Sequence, residues 1–182
     1  MSRLPFLELR ARSSFSFLEG GSNPEDLILA AAHRNLPAMA ILDRDGLYGA
    51  PRFHMAAKKA GIRAHIGAEV TCENGRRVPL LCETRIGYQN LCQLLTRGKL
   101  RVPKNDAKRK PAATLDELRE FRAGLLCLDP FFVSIYGAAN TYAELQRHYD
   151  PAQETRNATV IDFARHHHIP LVATNGVAYA TA

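Results

Sequence analysis

Paired cysteines, an apolar N-terminal segment and long hydrophobic runs are all missing from this sequence. None of the four cysteines belongs to a C-x-x-C pair, so neither a zinc ribbon nor a disulfide framework is indicated. The longest apolar run falls far short of the roughly 20 residues of a membrane-spanning helix, and the first residues do not resemble a secretory signal. We therefore expect a cytoplasmic protein with no membrane partner.

A phosphate-binding glycine loop is missing as well. Gly20, Gly21 and the turn "DRDGLYG" do not form the pattern G-x-x-x-x-G-K-[ST], so no nucleotide-binding loop is indicated. The chain shows no internal repeat and no low-complexity segment. At 182 residues, a single domain covering residues 1–182 is expected, because a chain of this length can bury about 70% of its unfolded surface.

Acidic residues are fewer than basic ones. The chain has 24 Lys and Arg against 18 Asp and Glu, which gives a formal net charge of +6 and a pI of about 9.4. This excess favours an anionic partner, nucleic acid first and an acidic protein second, although moderate basicity also occurs in proteins that bind neither.

Short apolar runs alternate with helical stretches, which is typical of an α/β fold with mostly parallel strands. Seven strands are predicted, at residues 6–10, 38–42, 64–70, 78–82, 124–128, 142–145 and 171–174. Five helices are predicted, at residues 24–34, 50–60, 88–95, 115–121 and 151–167. Asn23 is expected to cap the first helix, and Gly61 is expected to end the second.

Two segments interrupt this alternation. Residues 97–111, "RGKLRVPKNDAKRKP", contain a single acid, Asp106, and are interpreted as an exposed basic loop, either a solvated linker or a phosphate-contacting arm. The loop residues that would contact phosphate are Lys104, Lys108, Arg109 and Lys110. Residues 129–140 join the fifth and sixth predicted strands and are close to the lower length limit of a parallel crossover.

Five blocks of sequence, taken in order, resemble one known family. They are "LRARSSFSFLEGGSNPEDLILAA", "AILDRDGLYGAPRFHMAAKKAGIRAHIGAEVT", "LLCETRIGYQNLCQLLTR", "YAELQRH" and "PLVATNGVAYATA". Together they resemble the PHP (polymerase and histidinol phosphatase) domain at the N-terminus of bacterial C-family DNA polymerases, the type of the DNA polymerase III alpha subunit, and most of all the error-prone subgroup. The resemblance implies a distorted, TIM-like barrel of seven strands, here shortened between the fifth and sixth.

The resemblance also implies a metal site. Active family members hold two or three metal ions at the C-terminal ends of the strands and hydrolyse phosphoesters, in some polymerases as a 3′–5′ exonuclease. Other members have lost the metals and keep the domain as a scaffold.

Carried over to this chain, the first half of the family's ligand set is largely replaced. The two histidines after the first strand fall on Arg10 and Arg12, while the acid that closes that motif is present as Glu19. The histidine of the Asp-His-Asp turn falls on Arg44, between Asp43 and Asp45.

The second half of the family's ligand set is also largely replaced in this chain. The glutamate of the "GAE" block is kept as Glu69, and the histidine that begins the next strand falls on Arg77. The final Asp-x-His falls on Gly176 and Ala178, and the ligand after the fifth strand falls on Asp129.

Arginine cannot replace a metal ligand, because it has five N–H donors, no acceptor and a pKa above about 12. Glu19 and Glu69 remain as weak candidates for zinc, manganese or magnesium, but two carboxylates are too few for a catalytic cluster. We therefore expect no metal cofactor and no catalytic residue. Arg10, Arg12 and Arg44 are expected to pair with Glu19, Glu69, Asp43 or Asp45.

The function expected from the resemblance is that of a degenerate PHP domain supporting an error-prone polymerase in DNA replication, translesion synthesis or repair. The partners would be the rest of that polymerase or its accessory proteins, and DNA is a further candidate. We expect no activity from this chain alone, although the parent family consists of DNA-directed DNA polymerases. Two alternatives stay open, a residual metal-dependent phosphoesterase and a module that binds DNA phosphate through Arg10, Arg12, Arg44 and the basic loop.

Overall fold

The computed structural model describes residues 6–103 and 110–181. Seven strands occur in these residues: β1 (Glu8–Ala11), β2 (Ala38–Arg44), β3 (Arg63–Thr71), β4 (Arg77–Cys82), β5 (Leu125–Cys127), β6 (Ala143–Leu145) and β7 (Leu171–Ala173). Six α-helices accompany them: α1 (Pro24–His33), α2 (Ala50–Ala60), α3 (Arg85–Leu100), α4 (Leu115–Glu120), α5 (Val133–Tyr136) and α6 (Pro151–His166).

The strands form two sheets. The larger has the order β1-β2-β3-β4-β5 and the smaller consists of β6 and β7. β1, β2 and β3 run parallel, as do β6 and β7, but β4 is antiparallel to both β3 and β5. The expected α/β class is confirmed. The expectation of mostly parallel strands needs correcting at β4, because a tight turn in which Cys72 N–H donates to Arg76 O at 2.8 Å reverses the chain after β3.

The two sheets touch at both edges through single backbone hydrogen bonds. On one side Tyr142 N–H donates to the carbonyl oxygen of Cys127 at 2.8 Å, and on the other Arg12 N–H donates to Val177 O at 2.7 Å. A continuous seven-stranded barrel is therefore not confirmed, since no strand ladder joins the sheets among the described residues. These contacts nevertheless place the end of β1 beside the segment that follows β7.

The apolar core lies on both faces of the larger sheet. On one face Leu80 of β4 packs with Leu91 and Leu94 of α3, and all three are almost completely buried. On the same face, as the strand register shows, Ile28 and Phe53 bring α1 and α2 against β1 and β2. The opposite face carries a smaller cluster that includes Leu42 and Leu81. Each such side chain contributes about 1.5–3 kcal/mol when it is fully buried, so the sheet is held rigidly and its strand ends have fixed positions.

Two helix boundaries are set by capping residues that the sequence provides. Asn23 precedes α1, and its backbone N–H donates to the carboxylate of Asp26 at 3.2 Å, as expected for a cap. Gly61 ends α2 in the left-handed conformation, with φ +71°, which glycine adopts without strain. Both expected boundaries are confirmed.

Helix α3 is longer than expected and takes in the start of the predicted basic loop 97–111. The helix continues to Leu100 because Arg97 pairs with Glu120 at 2.5 Å and stacks 4.6 Å from the Phe121 ring. Arg101, one residue beyond the helix, donates to Glu117. Lys110 is exposed, whereas Lys104, Lys108 and Arg109 lie outside the described residues.

The short segment 129–140 folds as three brief helical turns. A 3-10 turn at Pro130–Phe132 leads into α5, and a second 3-10 turn at Ala138–Asn140 precedes β6. Asp129 caps the first turn, since its Oδ1 accepts from Phe131 N–H at 3.0 Å. A compact crossover, rather than a full helix, therefore separates β5 from β6.

Candidate functional site

The residues on or beside β1 to β4 that the family resemblance places at metal-ligand positions meet at one end of the larger sheet. Arg10 and Arg12 lie at the end of β1, Arg44 ends β2, and Glu69 lies near the end of β3. Arg77 begins β4, and because β4 is antiparallel to β3 its first residue lies at the same end of the sheet. The topology thus explains why residues distant in sequence form one cluster.

Glu69 is the buried centre of this cluster, with no exposed side-chain surface. Its Oε1 accepts from Arg10 Nε at 3.0 Å, from Arg12 Nε at 2.9 Å and from Arg12 Nη2 at 2.7 Å. Its Oε2 has no hydrogen-bond partner among the described residues, and Arg77 Nη1 lies 3.8 Å away from it. A single carboxylate therefore joins β1 to β3 through two guanidinium groups.

Glu19, on the loop between β1 and α1, forms a second centre. Arg44 Nη1 donates to its Oε1 at 2.5 Å, while Arg77 donates to both oxygens, at 2.6 and 2.8 Å. The hydrogen bonds from Arg77, followed by those from Arg44, hold the pKa of Glu19 below its ordinary value. This carboxylate thus ties the loop to β2 and β4.

Asp43 and Asp45 accept their hydrogen bonds from serine and threonine residues. Asp43 is buried and accepts from Ser13 N–H at 2.7 Å, Ser13 Oγ at 2.8 Å and Ser16 Oγ at 2.7 Å. Asp45 accepts from the backbone N–H and the hydroxyl of Thr71, both at 2.7 Å, and lies 3.9 Å from Arg44 Nε. Because these oxygens are saturated by hydroxyl and amide donors, the aspartates shape the loop and the end of β3.

Glu144 of β6 completes the cluster, and sequence reasoning did not find it. It accepts from Arg10 and from the Thr174 hydroxyl, and Gln146 Nε2 donates to it at 2.9 Å. Glu144 therefore links the smaller sheet to β1. The available signal was a carboxylate within the predicted strand 142–145, where a charge needs a buried partner.

Glu8 of β1 was also missed. It is 2% exposed and accepts from the backbone N–H groups of Arg10 at 2.8 Å and Asn175 at 2.9 Å. Burial raises the pKa of this carboxyl group above its ordinary value. A glutamate near the start of an otherwise apolar strand was the only hint that the sequence offered.

Gly176 and Ala178 lie beside this cluster but bring no ligand to it. Gly176 has φ +61°, and a Cβ at this position would lie 2.9 Å from Gln146 Nε2. The carbonyl oxygen of Ala178 accepts from Gly21 N–H at 2.9 Å. Asp129 is bound elsewhere, to Arg76 Nη2 at 2.8 Å.

The donor chemistry of the cluster does not fit a zinc, manganese or magnesium ion. These metals need lone pairs from imidazole, carboxylate or thiolate groups, whereas the atoms that face Glu69 and Glu19 are guanidinium N–H donors. Within residues 6–103 and 110–181, no three His, Cys, Asp or Glu side chains are grouped so that they could hold a metal ion. The one free carboxylate oxygen, Glu69 Oε2, is not a ligand set.

Comparison with known proteins identifies the class. Residues 8–167 match the PHP domain family, and the chain therefore belongs to that family. It is 35% identical over 188 residues to an error-prone DNA polymerase of Corynebacterium jeikeium (strain K411), covering 97% of this chain and 16% of that protein. It is 34% identical over 195 residues to an error-prone DNA polymerase of Anaeromyxobacter sp. (strain K), covering 97% of this chain and 17% of that protein. The chain thus spans about a sixth of the length of these curated relatives.

Solved structures share the fold. One is a putative metal-dependent phosphoesterase from Bifidobacterium adolescentis, with a TM-score of 0.64 and 13% identity over 94% of this chain and 87% of that chain. Another is an amidohydrolase from Chromobacterium violaceum, described with bound sulfate and no metal, with a TM-score of 0.66 and 16% identity over 95% and 87% of the two chains. At these identities the likeness shows the fold alone. Among the described residues, no helix is long and apolar enough to cross a bilayer.

Proposed function

We propose that this PHP domain is a metal-free structural domain of an error-prone C-family DNA polymerase, acting in translesion synthesis or repair. Two curated relatives bear the name error-prone DNA polymerase and match nearly all of this chain with a small part of their own length. A structural domain of a larger polymerase accounts for both the match and the size difference.

One observation carries the metal-free part of the proposal. A single oxygen of buried Glu69 accepts three N–H donors from Arg10 and Arg12, which occupy positions where the family resemblance places metal-binding histidines. A divalent cation at this point would face two fixed positive charges. Even at an effective dielectric near 20, two unit charges 4 Å apart interact with about 4 kcal/mol.

The network takes over the mechanical role of a metal cluster. Glu69 joins β1 to β3, Glu19 joins the loop after β1 to β2 and β4, and Glu144 joins β6 to β1. A buried ion-pair network adds little net stability over apolar packing, but removing one partner leaves an uncompensated charge. The arginine–glutamate pairs thus hold together the strand ends that metal ligands would otherwise hold. Neither partner can be removed without leaving the other unpaired.

Hydrolysis by this cluster is not part of the proposal. Metal-assisted phosphoester cleavage needs a bound ion that generates hydroxide or clamps the reacting oxygens. The side chains here are guanidinium donors and the glutamates that accept from them, and Glu69 Oε2 is a buried acceptor without a hydrogen-bond partner among the described residues. Arg10, Arg12, Arg44 and Arg77 have no lone pair with which to act as a general base.

The experiment is a hydrolysis assay on the purified chain with p-nitrophenyl phosphate and single-stranded DNA, each with added Mn²⁺. We expect no hydrolysis above the protein-free rate for wild type or for Glu69→Ala. Mn²⁺-dependent hydrolysis that disappears in Glu69→Ala would instead support the residual phosphoesterase, the second candidate. That candidate draws its support from the phosphoesterase fold neighbour alone.

Phosphate binding at the sheet end by Arg10, Arg12 and Arg44 is less well supported. All three guanidinium groups already donate to carboxylates. A DNA phosphate bound here would compete with Glu69 and Glu19 for these N–H donors.

A further inference from the structure

An open groove of about 1080 Å³ runs along the outer surface of α1 and α2, which lie side by side on the larger sheet. Its apolar lining is formed by Ile28, Leu29, Pro51, Met55, Ala56 and Ala60. Leu29 is 56% exposed and Met55 is 65% exposed, so two large apolar side chains of the groove face solvent. Contiguous exposed apolar surface marks an interaction site, whereas single exposed apolar side chains do not.

The sequence of α2 explains why this surface is apolar. Phe53 and Ala57, four residues apart, share the face of α2 that is buried in the core. Pro51, Met55 and Lys58 follow one another at spacings of four and three residues, and therefore share a different face. The helix thus carries apolar side chains on two faces, of which the sheet covers only the inner one.

The charged side chains of the groove are unevenly paired. Near the start of the two helices, Arg52 of α2 donates to both carboxylate oxygens of Glu25 of α1, at 2.6 and 2.9 Å, so this pair is neutral. Lys58 and Lys59, in the last turn of α2, have no ion-pair partner in the part of the chain that the structure describes. Lysine stems can lie along apolar surface while their ammonium groups reach outward. One end of the groove therefore presents two cations without a counter-charge.

We propose that this groove binds an acidic amphipathic helix of a partner protein. α1 has 10 residues and α2 has 11, so at a rise of about 1.5 Å per residue the groove matches about three helical turns. Apolar side chains repeated every three or four residues on the partner helix would pack on Leu29 and Met55. Its carboxylates would face Lys58 and Lys59. The flexible thioether of Met55 lets this surface adapt to the side chains that it meets.

The chemistry of the groove favours this partner over two others. The net charge of the chain is +6, which opposes the association of two copies through a surface that is itself basic. DNA needs several N–H donors along its phosphates, whereas the floor of the groove is hydrocarbon. An acidic helix supplies both the apolar side chains and the carboxylates that the groove can bind. The proposal goes beyond the structural role of the arginine–glutamate cluster, to which none of the groove residues belongs.

The probe is a library of random peptides of about 16 residues, long enough for four helical turns, displayed on phage and selected on the whole chain. Enriched peptides would be synthesised, and their binding measured by fluorescence anisotropy and circular dichroism. We expect them to be acidic, to repeat apolar residues at helical spacing and to gain helix on binding.

Met55→Glu should weaken the binding of these peptides about tenfold, because a charge replaces one apolar anchor. Ile86→Glu is the matched control, since Ile86 lies on α3, is 60% exposed and is outside the groove. It adds the same charge, and we expect it to leave the affinity unchanged. Both side chains are exposed, so both variants should keep the thermal midpoint of the wild type.

A charge exchange tests the two lysines. The double variant Lys58→Glu/Lys59→Glu should lose the acidic peptides and bind counterparts in which lysine replaces each acid. Equal losses from Met55→Glu and Ile86→Glu, or no enriched peptide that depends on Met55, would overturn the proposal. So would a dimer, or a complex with single-stranded DNA, that Met55→Glu abolishes, because the groove would then serve a second copy or nucleic acid. None of these results changes the metal-free role, which the hydrolysis assay tests separately.

Discussion

Arg10, Arg12, Arg44 and Arg77 each have a glutamate partner at the end of the larger sheet, and these partners come from separate parts of the chain. Glu69 faces Arg10 and Arg12, whereas Glu19 faces Arg44 and Arg77. The arginine side chains are between 18% and 35% exposed, and Glu69 is fully buried. A buried carboxylate that serves two arginines is the residue on which the network depends most.

Replacing Glu69 with alanine tests that dependence. We expect Glu69→Ala to lower the free energy of unfolding by about 3–5 kcal/mol, because Arg10 and Arg12 lose their shared acceptor in a partly buried site. Urea denaturation monitored by circular dichroism measures the change. Glu25→Ala is the control: it breaks the exposed pair with Arg52, in which the two side chains are 39% and 49% exposed, and should cost less than about 1 kcal/mol. Equal costs for the two variants would show that the network has no special role.

The dependence of folding stability on pH in the acidic range tests the ion pairs of Glu19. Its pKa is lowered in the folded state, first by the hydrogen bonds from Arg77, so its contribution is complete above the unfolded pKa of about 4.3. That contribution is lost as the pH falls through the folded pKa. We expect the stability difference between wild type and Glu19→Gln to shrink as the pH is lowered from about 5 toward 3, measured by thermal unfolding at each pH. Burial raises the pKa of Glu8, so its effect on the pH dependence of stability has the opposite sign. Because Glu8 is present in both proteins, its effect cancels in the difference. A stability difference that does not change with pH would refute the pairing of Glu19.

At the scale of elements, α3 is held against the sheet by an unusually close approach. Gly87, in its first turn, lies where an added Cβ would come within 1.8 Å of the Gly124 carbonyl oxygen. Thr84 Oγ1 accepts from Gly87 N–H at 3.1 Å and fixes the start of the helix. The beginning of α3 and the turn before β5 are thus packed backbone against backbone.

Gly87→Ala should therefore destabilise the protein by about 3 kcal/mol, at the upper end for overpacking, because the clashing atom is backbone and cannot swing aside. Gly75→Ala is the matched control, since Gly75 has φ +80° but no atom within 4 Å of an added Cβ, and it should cost about 1 kcal/mol. Chemical denaturation of both variants gives the comparison. A Gly87→Ala cost no larger than that of Gly75→Ala would mean that the helix start can shift freely.

At the scale of elements, the sequence predicted a helix or strand well where its limits depend on neighbouring residues. β3 was expected at residues 64–70 and spans Arg63–Thr71, while α2 was expected at 50–60 and spans Ala50–Ala60. The extension of α3 to Leu100 was not predicted because it depends on Glu120, which is distant in sequence. In the site, Arg10, Arg12 and Arg44 were expected to pair with Glu19, Glu69, Asp43 or Asp45, without a specific partner for each. Glu144 was missed because its contact with Arg10 spans 134 positions.

At the scale of the whole molecule, the chain has a formal net charge of +6, and many of its basic residues form ion pairs. At the end of the larger sheet, Arg10, Arg12, Arg44 and Arg77 pair with glutamates. We expect this pairing to give the sheet end a structural role. The chain spans about a sixth of the length of its curated polymerase relatives.

Metal content is the most direct measurement of the central claim, that arginine–glutamate pairs occupy the place of a metal cluster. The chain would be produced in medium containing zinc and manganese, purified without chelator and analysed by inductively coupled plasma mass spectrometry. We expect well below one equivalent of any transition metal and a thermal midpoint that EDTA does not change. Stoichiometric zinc or manganese, lost together with stability in EDTA and absent from Glu69→Ala, would contradict the account.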